Sequence, residues 1–215
     1  MDFNRFLDSK SKLKQIRLLG LGAHSSLVPP GRYEEIRSYF KSSINPKLAS
    51  VLVHIYPDSL GKIKFVLIKR NQYEGIHSGQ ISFPGGQFQK SDFSNWNTAV
   101  REASEEVGLE KKTIVKYREL TKVFIPPSNF LVHPFLTYSN ERPLFQEQKS
   151  EVDKIIEVPL SGLLEPNSLI KRKISTIYMK NILVPGYYLE GFFVWGATAM
   201  ILSEFRILFK NLSSK

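Results

Sequence analysis

The sequence predicts an α+β fold, a mixed β-sheet sandwiched between α-helices. Three observations point there. Runs rich in β-formers and segments of helical period follow one another without strict βαβ alternation. No repeat or low-complexity tract interrupts them. No shift of composition marks a domain boundary along the 215 residues. One enlarged domain is therefore expected, with residues 1–46 as a helical lead-in and residues 47–215 as the main body.

Each expected element has a local cause. The stretches RFLDSKSKLKQIRLL and YEEIRSYF are amphipathic in patches, and Pro29-Pro30-Gly31 separates them as a turn. Residues 49–56 and 63–68 read as a β-hairpin around Asp58-Ser59-Leu60-Gly61. The glycine-rich stretch 75–86 ends in Ser-Phe-Pro-Gly-Gly, a strand closing into a tight turn. Residues 95–107 take up a helical pattern that Gly108 is placed to stop. Residues 114–125 and 130–138 favour strands broken by Pro126-Pro127, and the polar stretch 139–150 is a loop. Strands over 174–179 and 187–195 and a helix over 197–209 complete the expectation.

Composition narrows the function classes. With 42% hydrophobic and 23% charged residues the body of the chain is globular and not disordered. No apolar run approaches the roughly 18 residues of a membrane span, so no membrane partner is expected. The opening MDFNRFLDSK lacks the apolar core of a secretory signal, and the final Ser-Ser-Lys is not a peroxisomal ending, so a cytoplasmic location is expected. The absence of cysteine excludes disulfides, a thiol nucleophile and Cys-ligated zinc. A net charge of +10 suits anionic partners, whether nucleic acid, a lipid surface or phosphorylated metabolites, and by itself chooses none.

The segment Arg101-Glu102-Ala103-Ser104-Glu105-Glu106-Val107-Gly108-Leu109 carries the most information. On a helix, Glu102 faces Glu105 and Glu106 at spacings of three and four. Like charges so placed repel, and at a helix C-terminus the dipole disfavours each anion by roughly 0.3–1 kcal/mol. Arg101 reaches Glu105, but one arginine does not neutralise three acids. A hard divalent cation, Mg²⁺ or Mn²⁺, is the simplest missing charge. The plain alternative is a solvated acidic face. Upstream, Phe83-Pro84-Gly85-Gly86 offers glycines that permit close backbone approach to a ligand.

Gly86, Asp92 and the run from Arg101 to Leu109 together resemble the Nudix box, G-x5-E-x7-R-E-U-x-E-E-x-G-U with U aliphatic. Two departures stand: Asp92 replaces the first box glutamate, and eight residues separate it from Arg101. The flanks, Leu67-Ile68-Lys69-Arg70 and Gly79-Gln80-Ile81-Ser82-Phe83-Pro84-Gly85-Gly86, resemble the coenzyme A pyrophosphatases of that superfamily, in which the longer spacing is common. Downstream likenesses extend to Leu202; Asn71 stands where Ser or Ala is usual, and Gly75 where an Arg often sits.

The resemblance implies the Nudix fold over residues 47–215, with the box as a loop–helix–loop. It implies hydrolysis of coenzyme A or acyl-coenzyme A to (acyl-)phosphopantetheine and adenosine 3′,5′-bisphosphate. Other nucleoside diphosphate derivatives, such as ADP-ribose or NADH, and a non-catalytic nucleotide-binding module are the alternatives. Mg²⁺ or Mn²⁺ would be held by Glu102, Glu105 and Glu106, with the Gly85 carbonyl as a further ligand. Arg101 would orient Glu105, and Glu102 or Glu151 would be the general base. Gly86, Arg70, Lys69 and His77 are the expected substrate contacts; strand alternation turns one of Lys69 and Arg70 to solvent. Trp195, Ala199 and Leu202 read as core, and Lys171-Arg172-Lys173 as a solvated strand or loop. No basic–aromatic repeat or RNA-binding module is found, so a small-molecule substrate is expected rather than nucleic acid. A homodimer is one oligomeric state compatible with the sequence.

Overall fold

A computed structural model describes residues 2–39, 45–176 and 180–213. Phe40 of the expected N-terminal helix, and residues 177–179 of the strand expected over 174–179, lie outside the described residues. The central sheet starts from the expected hairpin, β1 (Lys47–Pro57) and β2 (Ile63–Arg70), with Ile55 opposite Phe65. Asp58 closes its turn, accepting from the Leu60 and Lys62 amides at 2.9 and 2.8 Å. Short strands β3 (Ile81–Ser82) and β4 (Gly85–Gln87) pair with β2 and β1. Then come β5 (Val115–Glu119), β6 (Val123–Ile125) and β7 (Phe130–Tyr138). Strand β7 runs parallel to β1, and the other described pairings are antiparallel, so the sheet is mixed. Its path is β3-β2-β1-β7-β5, with β8 (Val152–Pro159) also on β2.

Two faces of this sheet are covered because β1 alternates. Leu52 faces α4 (Asn95–Val107), packing with Ala99, Val100, Ala103 and Val107. Val53 and Ile55 face α6 (Gly196–Ser213), packing with Ala199, Leu202, Phe205 and Phe209. The lead-in joins this second core. Helix α1 (Phe3–Gln15), capped by Asp2 on the Asn4 amide, buries Phe3, Phe6 and Leu13. Phe6 meets the rings of Tyr117, Tyr138 and Phe209 at 5.7, 5.5 and 5.9 Å. Arg118 Nη1 donates to the Leu13 and Ile16 carbonyls, satisfying the end of α1. Helices α2 (Leu21–His24) and α3 (Tyr33–Tyr39) follow.

Several elements differ from expectation. Residues 187–195 are not one strand but the facing parts of β10 (Ile182–Leu189) and β11 (Phe192–Trp195). Glu190 and Gly191, both at positive φ (48° and 85°), make a two-residue turn that flanking aromatics conceal in the sequence. The strand expected from residue 174 ends there instead: β9 (Leu169–Ile174) takes in Lys171, Arg172 and Lys173, all exposed, so no alternation of burial advertises it. The stretch 114–125 breaks at Thr121, whose amide and hydroxyl both donate to buried Glu204 (2.8 and 2.7 Å). Strand β8 and helix α5 (Leu160–Leu164) were not foreseen, since Asp153, Lys154 and Glu157 interrupt the apolar pattern of β8. Trp195, read as core, is only half-buried.

Phe6→Ala should cost about 3–5 kcal/mol, the range for deleting a buried phenylalanine, read as a lower urea midpoint in a single transition. An unchanged midpoint would mean that α1 does not share the main core.

Candidate active site

Strand β4 is wedged between β1 and α4, and its first residue can only be glycine. At Gly85 (φ 151°) a Cβ would lie 2.2 Å from the Ser50 carbonyl oxygen. At Gly86 it would lie 2.5 Å from the carboxylate of Glu102. The backbone and the acidic helix therefore touch without an intervening side chain.

Helix α4 is built to present acids at that contact. Ser94 caps its N-terminus by accepting from the Asn97 amide, and Gly108, left-handed at φ 71°, ends it. Glu102 and Glu106, one turn apart, point toward β4. Glu106 is 1% exposed, and its carboxylate accepts from the Gly85 amide (2.7 Å) and from Arg70 Nη1 (3.2 Å). Burial pushes its pKa up to about 7, against the pull of Arg70 and the Gly85 amide. Burial raises Glu102 as well, with Arg101 opposing. Glu151 arrives from the loop before β8, and carboxylate oxygens of Glu102, Glu106 and Glu151 lie within 4.8 Å of one another. Asn71 holds that loop, donating from its amide to the Glu151 carbonyl (3.0 Å) and from Nδ2 to the Lys149 carbonyl (2.8 Å).

Glu105, expected among the metal ligands, is not brought into this cluster. Successive helical residues turn by about 100°, so with Glu106 facing the sheet Glu105 swings outward. Its side chain is 55% exposed and accepts from Arg101 Nη1 at 2.9 Å. Arg101 is a hub with wider reach than expected. The same Nη1 lies 2.9 Å from Glu102 Oε1, while Nε and Nη2 grip Asp92 at 2.7 and 3.1 Å. Asp92 also accepts from the Gln89 amide and the Thr98 hydroxyl, both at 2.9 Å. The box position where aspartate replaces glutamate thus anchors Arg101. Sequence reasoning missed this, although the fixed partnership of an acid and an arginine within one motif was a usable signal.

The remaining predicted contacts divide as strand alternation requires. Lys69 pairs with Asp153 (2.5 Å) on the outside, whereas Arg70 turns inward to Glu106. His77 is half-buried; its ring nitrogens meet Gln80 Oε1 and Ser128 Oγ at 3.1 and 3.2 Å, and burial lowers its pKa, favouring the neutral ring. Arg70, His77, Gly85 and Gly86 line a cavity of about 370 Å³, whose walls also include Trp195 and Phe124.

Chemically, three converging carboxylates form a hard-oxygen donor set suited to a divalent cation such as Mg²⁺ or Mn²⁺. Arg70 pairs with Glu106, and Arg101 divides its charge among Glu102, Glu105 and Asp92, so the two arginines do not balance the acids gathered here. The residues therefore fit such an ion, with Glu102, Glu106 and Glu151 as its holders.

Comparison with known proteins addresses family and fold. A family model described as NUDIX domain matches residues 46–176, more than half of the chain. Nudix hydrolase 22, chloroplastic, of Arabidopsis thaliana is 28% identical over 162 residues, covering 73% of this chain and 53% of its own length. Peroxisomal coenzyme A diphosphatase ndx-8 of Caenorhabditis elegans is 31% identical over 135 residues, covering 62% of this chain and 58% of its own. The chain thus spans just over half the length of these relatives. A crystal structure of a MutT/nudix family protein from Enterococcus faecalis superposes with a TM-score of 0.51 at 14% identity, covering 97% of this chain and 74% of that one, a likeness of fold.

Hydrogen bonds from Arg101 hold the Asp92 carboxyl down at about 2. A depressed acid contributes stability above its unfolded pKa, near 3.9, and loses it as pH falls through the folded value. Asp92→Asn should therefore lower stability at neutral pH and remove part of the acid-side decline between about pH 4 and pH 2. Denaturation curves at stepped pH check this; an unaltered profile would mean that Asp92 and Arg101 are not paired in solution.

Proposed function

The chain belongs to the Nudix family, and from that premise we propose that it hydrolyses the diphosphate bridge of coenzyme A or acyl-coenzyme A, with Mg²⁺ or Mn²⁺ as cofactor. The products are (acyl-)phosphopantetheine and adenosine 3′,5′-bisphosphate. The observation that carries this reading is the convergence of Glu102, Glu106 and Glu151 beside the Gly85–Gly86 backbone. The choice of coenzyme A is supported by the motif around Gly79–Gly86 and by the relative named as a coenzyme A diphosphatase. Cytoplasmic residence is part of the same proposal; the chloroplastic and peroxisomal names of the relatives are not carried over.

A divalent ion held by Glu102, Glu106 and Glu151 would supply charge neutralisation at the diphosphate and an acidified water. The chain's own residues do the rest. Gly86, having no side chain, lets the Glu102 carboxylate pack against the backbone of β4. The Gly85 amide and Arg70 fix the Glu106 carboxylate, and Arg101 fixes Glu102. Arg70, which also faces the cavity, donates to a phosphate oxygen. Water attacks one phosphorus, its proton passes to Glu102 or Glu151, and the bridging P–O bond breaks to leave two phosphate monoesters. Positioning and charge, more than covalent help, lower such a barrier. A module that only binds nucleotide has no use for three converging acids, which favours the hydrolase reading over that alternative.

Incubating the protein with Mg²⁺ and coenzyme A, ADP-ribose or NADH, then separating the products, tests the substrate. Coenzyme A should be converted to adenosine 3′,5′-bisphosphate. Disappearance of ADP-ribose with coenzyme A intact would overturn the assignment. Glu106→Gln, by weakening the hold on the cation that neutralises the diphosphate, should lower kcat by about two to three orders of magnitude. Glu105→Gln, acting through Arg101, should cost about 10- to 100-fold. Equal losses in the two variants would contradict the division of roles between them.

A further inference from the structure

Part of the cavity wall comes from residues that precede the matched domain. Pro29, Arg32 and Ile36 line the cavity that opens beside Gly85, Gly86 and Arg70. They are held from behind. Leu27 and Val28 are buried, the Gly20 amide donates to Glu204 Oε1 (3.0 Å), and the Ser203 hydroxyl donates to the Ala23 carbonyl (2.7 Å). Tyr39, one turn beyond Ile36, stacks on Phe124 with ring centroids 4.0 Å apart. The segment is thus a fitted wall with its own anchors in the core.

The chemistry of the walls decides what they receive. Ile36 faces a space shared with Phe124, Phe130, Met200 and Ile201, where aliphatic surface gains by leaving water and an unpaired polar group loses. Two arginines border the cavity: Arg70 marks the diphosphate end, and Arg32 Nη1 is taken by both Glu35 oxygens at 2.9 and 2.8 Å. Ser82 Oγ, also in the lining, is buried with no hydrogen-bond partner. A lone hydroxyl suits one carbonyl oxygen, whereas a purine edge presents several donors and acceptors to be met. At about 370 Å³ the cavity is in the range of small-molecule sites, about 300–1,000 Å³.

We propose that Pro29, Arg32 and Ile36 complete the substrate cavity, and that Ile36 is a specificity-determining residue favouring a diphosphate that carries an aliphatic acyl group over the same diphosphate without one. This rests on the hydrolase reading above. Calorimetric titration of the full chain, in EDTA to prevent turnover, with coenzyme A and its acetyl, butanoyl, hexanoyl and octanoyl thioesters tests it. Each added methylene should tighten binding by about two- to fourfold until the cavity is filled. Ile36→Thr should flatten that dependence while the melting curve confirms folding. If the variant does not fold, the wild-type series alone decides. Affinity independent of chain length overturns the proposal. The two readings fail separately: coenzyme A cleaved in Mg²⁺ with a flat series sinks the acyl wall alone, and a steep series without cleavage sinks the hydrolase alone.

Discussion

Glu106 is a carboxylate at 1% exposure, and burying such a charge costs several kcal/mol unless it is partnered. The rest of the site is arranged around that constraint. Its two partners come from different places: the Gly85 amide, on a strand that only glycine lets pass, and Arg70, at the inward end of β2. Strand order and glycine placement thus answer to one acid. Glu102, one helical turn earlier, leans on Gly86 and is steadied by Arg101, which Asp92 holds in turn. The chain of contacts runs from a box aspartate to a buried glutamate through Arg101, Glu102 and two glycines.

Much of this was legible in the sequence because local rules acted alone. Helix α4 lies where its period and Gly108 place it, and the β1–β2 hairpin follows the Asp58 turn. The acidic run marked the site for the same reason, since helical spacing alone brings Glu102 and Glu106 together. What was hidden depended on tertiary context. The outward turn of Glu105 follows from which face of α4 meets the sheet, which the run Glu-Glu does not reveal. Glu151 had weak local signal because its partners lie across the sheet, and Asn71, which departs from the family pattern, secures its loop. The exposed strand β9 and the Glu190-Gly191 turn were masked by charge runs and flanking aromatics.

The N-terminal segment changes the view of where the catalytic unit ends. Its aromatic residues enter the main core, and its third helix reaches the cavity beside the glycine strand. The buried Glu204 ties this segment, through Gly20, to the Thr121 break between β5 and β6. A domain reduced to the matched region would lack that wall. The proposed acyl wall would link selectivity to this packing and not to the acidic motif itself.

On the proposed function, carboxylates from a helix and a distant loop converge because they share a divalent cation. Anomalous diffraction from crystals soaked in Mn²⁺ tests it most directly. The expected result is a peak bounded by Glu102, Glu106 and Glu151, with Glu105 outside its coordination sphere. A peak elsewhere, or none while those three acids remain together, would contradict it.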